Sequence, residues 1–262
     1  MDIRIRQVRQ VIDELALTDR ADNDTKEIIF DRELDKIKKL DRDGIIDVVR
    51  TAIGNNPKRK RFAPFVFSAL CDVEGIEDVF SELLESSDDL GRSCIIQTIG
   101  LRKIHDLVGV LNRHYYRETD DFCKDMTLHA LGVIADESSL TIFRQLMHDK
   151  DHSYRWRILS ASHRFASAEF KDYLTGVFHD ESTKPDYKIM AAWGLAKLGE
   201  SRPYDYLVSM LDDPEIRTTT FYDPGHSLRA AQAISDINGW DFEWNAVSVK
   251  LVRQKLAEQK SC

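Results

Sequence analysis

Three His-Asp dipeptides, His105-Asp106, His148-Asp149 and His179-Asp180, are the first residues in the sequence that could do chemistry. An imidazole beside a carboxylate can ligate a divalent metal if several such pairs converge on one point. Trp156 and Trp193 are large aromatic side chains in a chain with several Asp and Arg residues. Tyr115, Tyr116 and Arg117, and further on Arg217, Phe221 and Tyr222, are residue types favoured as protein-interface anchors. Glu77, Asp78, Glu82 and Glu85 form an acidic run that suits a basic partner. Lys58-Arg59-Lys60-Arg61 is a basic cluster after Pro57, either a solvated helix start or a contact for phosphate or an acidic partner. No GxSxG, P-loop, GxGxxG or HExxH motif occurs. The four cysteines, Cys71, Cys94, Cys123 and Cys262, show no CxxC pairing, and three fall in apolar helical patterns. Reduced, buried thiols in a cytoplasmic protein are therefore expected.

Charge narrows the partners. The chain carries 45 Asp/Glu against 37 Lys/Arg, a net −8, and the excess of acid lies after Arg61. Binding to phosphate backbones needs clustered positive charge, so a nucleic-acid partner is disfavoured and a basic protein partner is favoured. The opening MDIRIRQVRQVIDEL has no continuous apolar run, so it does not read as a signal peptide. Its Ile5, Val8, Ile12 and Leu15 share one helical face, as in a helix docking on the next element. No stretch is long and apolar enough to span a bilayer, and no membrane partner is expected. Twelve glycines are few for an all-β chain of this length.

The elements that must position these residues follow from an internal repeat. A small residue, an anchor and an apolar residue three further on occur as Ala69-Leu70 with Val73, Ala130-Leu131 with Ile134, Gly194-Leu195 with Leu198, and Ala233-Ile234 with Ile237. Thr98-Ile99 and Ala161-Ser162 with Phe165 are weaker copies. The anchors are spaced by 29, 32, 31, 33 and 39 residues. A second helical pattern follows each anchor, for example Ile76, Val79, Phe80, Leu83 and Leu84, or Ile142, Phe143, Leu146 and Met147. Helices this short are marginal alone and must bury a shared apolar seam. Arg92, Lys124, Arg155 and Lys188 stand seven residues before their anchors, with Asp88, Asp120 and Asp151 four residues earlier still. The acids read as helix N-caps and the bases as tethers to the neighbouring repeat, in preference to a charged binding stripe.

The stretches YKIMAAWGLAKLGESRPYDYLVSMLDDPE and MTLHALGVIADESSLTIFRQLMHDKD resemble HEAT repeats, in the short bacterial variety also seen in phycobilisome lyases. The resemblance covers roughly residues 58–259. It implies an all-α, right-handed α-α superhelix of about six to seven helical hairpins. The expected organisation is 1–57 as N-terminal helices and a degenerate capping repeat, continuous with HEAT-like repeats over 58–262. HEAT-like hydroxylases of the deoxyhypusine type converge His-Glu pairs from first helices. Here His148-Asp149 and His179-Asp180 follow second helices one repeat apart, so no metal and no cofactor are expected. HEAT-like alkylpurine DNA glycosylases use Trp, Asp and Arg on a basic concave face. Here Trp193 reads as core and the helix at Ile76–Glu85 is acidic.

Two links between repeats are read as longer than the rest, Asn112–Thr119 and Pro214–Gly225, and both should emerge on one edge. Their aromatic and arginine residues either anchor a partner or fold back over neighbouring helices. Trp240, Phe242 and Trp244 read as a cap on the last repeat. The expectation is a non-catalytic protein-binding chain. Its candidate contacts are Tyr115, Tyr116, Arg117, Arg217, Phe221, Tyr222, Glu82 and Glu85, and its partner could be a basic toxin domain that it neutralises as an immunity protein. The alternatives are a glycosylase-like or bilin-lyase-like enzyme, and a regulatory adaptor in a larger complex.

Overall fold

The computed structural model describes residues 75–86, 88–149, 153–212, 225–241 and 246–260, together with Lys39 and Gly44. These residues form helices and their connections, with no strand among them. The chain divides into two compact units, Met1–Ser139 and Leu140–Cys262. The expected boundary at residue 57 and the anchor Leu70 lie outside the described residues.

In the first unit the described helices are α1 (Ile76–Ser86), α2 (Asp89–Arg102), α3 (Val108–Arg117) and α4 (Asp121–Ile134). Short 3₁₀ turns at His105–Leu107 and Glu137–Ser139 follow the first helix of each pair. Ile76, Val79, Phe80, Leu83 and Leu84 are all buried, as the spacing of α1 predicts. Asp88 starts α2 by accepting from Gly91 N at 2.8 Å, and Asp120 starts α4 by accepting from Cys123 N at 2.8 Å. Each satisfies one of the N–H groups a helix start leaves open. Helices α2 and α4 then pack along one another. A Cβ on Gly100 would lie 2.8 Å from Ala130 Cα, so the bare glycine sets how closely the two backbones approach.

The second unit holds α5 (Leu140–Met147), α6 (Arg155–Phe165), α7 (Lys171–His179), α8 (Pro185–Lys197), α9 (Ser201–Met210), α10 (Gly225–Asn238) and α11 (Ala246–Lys260). Pro185 occupies the first helical position of α8, where its missing N–H costs nothing. Helix α8 packs against α6, α7, α9 and α10. Its Ile189, Ala192 and Ala196 join Leu207, Ala230, Ile234 and Val252 in one core. Phe143, Phe165 and Phe170 form a second apolar group, with ring centroids 5.4 to 6.3 Å apart.

The repeat read from the sequence reappears in burial and in the backbone. Ile99, Leu131, Ser162, Leu195 and Ile234 are all buried, and each lies in the first helix of a pair. Each of these helices is followed by one residue in the left-handed region: Lys103, Ala135 and Ala166, then Gly199 and Gly239. The first four of these stand four residues after their anchors and Gly239 stands five after. At Ala135 and Ala166 the N–H of that residue closes the last turn, at 2.9 Å to Leu131 O and 2.9 Å to Ser162 O.

Candidate functional site

The structure corrects the first of the two long links. Residues 112–117 are not a loop, because α3 runs unbroken from Val108 to Arg117. His114 and Tyr115 continue the inward face three and four residues after Leu111, with His114 buried and Tyr115 half-buried. The true link, 118–120, is short, and it is fixed by Glu118. That carboxylate accepts from Arg92 Nε at 2.8 Å, Arg92 Nη2 at 3.1 Å, Thr119 N at 2.8 Å and Asp120 N at 2.9 Å. Burial alone would raise the Glu118 pKa, but Arg92 and the two backbone N–H groups outweigh it and hold the carboxyl below its usual value. Burial likewise opposes the Arg92 charge, and the Glu118 partner more than restores it. Arg92 thus ties α2 to the start of α4, as the tether reading expects. In the second unit Arg155, at the same register, reaches Thr183 Oγ1 at 3.0 Å just ahead of α8.

Around this link the structure gathers five of the sequence-predicted contact residues on α1 and the end of α3. Tyr115 and Tyr116 meet edge to face with centroids 5.4 Å apart. Tyr116, Arg117, Glu82 and Glu85 are exposed. Arg117 Nη1 lies 3.5 Å from Glu85 Oε1, an exposed pair worth little in stability. Arg217, Phe221 and Tyr222 lie outside the described residues.

Two residues that sequence reasoning passed over belong with this group. Leu90 is 43% exposed and Phe122 59% exposed. They occupy the second position of α2 and of α4, within the matching runs Asp88-Asp89-Leu90-Gly91-Arg92 and Asp120-Asp121-Phe122-Cys123-Lys124. Helical phase was the signal that could have found them. The buried stripe of α4 runs through Cys123, Thr127, Leu131 and Ile134, and Phe122 falls off it.

The other candidate chemistry is dispersed. Among the described residues no group of three or more His, Cys, Asp and Glu side chains could hold a metal ion. All three His-Asp dipeptides are exposed. His105 Nδ1 lies 3.7 Å from Asp136, and Asp180 is engaged by Ser182 and Thr183. Trp156 packs by Tyr187 and under Arg229, whereas Trp193 stacks on His163 at 3.8 Å and donates to Asp236 at 2.8 Å. Trp240 packs on the core with Lys255 over its ring, and Phe242 and Trp244 lie outside the described residues. Cys94 and Cys123 are buried free thiols. Burial and the Asp120 carboxylate push Cys123 up to about 12, far from a reactive thiolate. No described helix is long and apolar enough to cross a membrane. No protein-family model and no curated protein matches the chain.

Proposed function

We propose that the chain is a non-catalytic protein-binding protein of the HEAT-like repeat class, its hairpins wound into a right-handed α-α superhelix, that engages a basic protein domain. The observation that carries the reading is where the charge lies. Residues 75–139 hold 13 Asp/Glu against six Lys/Arg, a net −7 out of −8 for the whole chain. The same stretch exposes Tyr116 and Phe122. Large exposed rings among carboxylates are what a cationic partner with apolar side chains would meet. Among basic partners the reading favours a toxin domain, such as a nuclease, whose active surface an acidic immunity protein covers.

Co-expression with a toxin-like nuclease domain encoded beside the gene tests this. Protection of the cells and a stable purified complex are expected. Tight retention on heparin or DNA that falls steeply with salt, together with release of alkylated bases from DNA, would place the protein with the glycosylase-like enzymes instead.

A further inference from the structure

We propose that Leu90 and Phe122 form the apolar centre of a docking edge for a cationic protein segment. This rests on the protein-binding reading and adds to it a place and a partner chemistry. The two side chains hold the same position on adjacent helices. Their neighbourhood is fixed by Cys123 Sγ, which lies 3.1 Å from the carbonyl oxygen of Asp89. That contact joins the residue before Leu90 to the residue after Phe122. A single exposed leucine on a surface needs no explanation. Two large apolar side chains repeated in register, with Tyr116 exposed two residues before the Glu118 link, are a different case.

The charges around them specify the occupant. A helix N-terminus by itself prefers an anion, because its dipole end is positive. Here that preference is reversed. Asp88 and Asp120 spend one carboxylate each as caps, and Asp89 and Asp121 stand exposed beside the two apolar side chains. Arg92 is shared between Asp89 at 2.5 Å and Glu118 at 2.8 Å, so one cation faces two carboxylates. Within these two helix starts and their link, five acids are set against Arg92 and Lys124. An apolar side chain flanked by Lys or Arg on the partner fits both features at once. The equivalent positions in the three later repeats are Ser153, Asp186 and Gly225, so among the described residues the feature is confined to α2 and α4.

The test is an NMR titration of the isotopically labelled full chain with a short amphipathic Lys/Leu peptide, and with a Glu/Leu peptide of the same apolar pattern as control. Shift changes from the Lys/Leu peptide should gather at Leu90, Phe122 and Tyr116. The double variant Leu90→Ser, Phe122→Ser should bind it at least about tenfold more weakly, with its circular dichroism unchanged. Equal binding by the double variant, equal binding of the Glu/Leu peptide, no binding at all, or self-association through these residues would each overturn the proposal. The broader reading has a separate outcome. A toxin domain that still forms a complex with the double variant leaves protein binding standing while this edge falls.

Discussion

Glu118 accepts four hydrogen bonds while buried between α3 and α4, and its removal has a definite cost. Glu118→Ala would take one acceptor from the Arg92 guanidinium, which keeps Asp89, and remove the acceptor of the Thr119 and Asp120 N–H groups. A loss of about 2–4 kcal/mol is expected in urea denaturation, with Glu118→Gln losing less because it keeps an acceptor oxygen. A loss within a few tenths would mean that the link is held by something else. Two histidines add a pH dependence. Burial, with the Arg164 charge, holds His163 well below its ordinary 6.5. Burial also lowers His114, with the Glu118 charge opposing. A histidine that takes up its proton more readily in the unfolded chain weakens the fold as pH falls through 6.5, and is without effect well above it. Glu118 acts lower down: its contribution is complete above its ordinary 4.5 and is lost as pH falls through its depressed folded value. The urea midpoint should therefore decline between about pH 7 and 5 before the carboxylate loss begins. His163→Phe, which can keep the stack on Trp193, should flatten that first decline, leaving the part due to His114. An unchanged decline in this variant would remove His163 as its cause.

At the scale of the element, the helix ends and helix contacts carry different demands on glycine. Ala135 holds a left-handed conformation at φ 57°, where a Cβ is strained. Ala135→Gly should raise stability by about 0.5–1 kcal/mol in thermal or urea unfolding, and a decrease would show that the Ala methyl packs usefully. Gly100→Ala should do the reverse. The added carbon would sit 2.8 Å from Ala130 Cα, a backbone atom that cannot step aside without parting α2 from α4. A loss of about 1–3 kcal/mol is expected despite the better helix propensity of Ala. Gly194→Ala meets the Leu174 methyl at 2.7 Å and the Ser162 hydroxyl at 2.8 Å, side-chain ends that can rotate, so its loss should be smaller. Gly176 in α7 has nothing within 4 Å of an added Cβ, and Gly176→Ala should gain about 0.5–1 kcal/mol. This contrast also explains which parts of the fold were legible in the sequence. Small-anchor pairs such as Ala130-Leu131 and Gly194-Leu195 repeat because close helix contacts demand small residues there, and the described anchors are buried. The end of α3 was illegible because aliphatic residues stop at Leu111. A buried histidine, with its Nε2 3.0 Å from Glu118 Oε2, and a half-buried tyrosine carry the inward face onward. Leu90 and Phe122 were overlooked for the opposite reason: apolar residues beside a cap look like core until the helical phase is followed.

At the scale of the whole molecule the distribution of charge matters more than its total. Residues 140–262 carry 16 Lys/Arg against 17 Asp/Glu, so they are close to neutral, as are residues 1–74 with 15 of each. A partner drawn by the net charge of the chain would respond equally to a lost carboxylate anywhere. A partner drawn by the field of residues 75–139 would not, because in physiological salt exposed charges are screened over about 8 Å. Stopped-flow association with the proposed basic toxin domain separates the two. Asp89→Lys with Asp121→Lys changes the net charge by the same amount as Asp172→Lys with Asp205→Lys, and all four residues are exposed or half-buried on helices. Asp89 additionally loses its pair with Arg92, so unfolding of the variant must be measured alongside. The first pair should slow association by about tenfold or more at low ionic strength and lessen its dependence on salt. The second pair should leave the rate within about twofold. Equal slowing by both pairs would mean that the attraction is a property of the total charge, and the concentration of acid in residues 75–139 would lose its functional meaning.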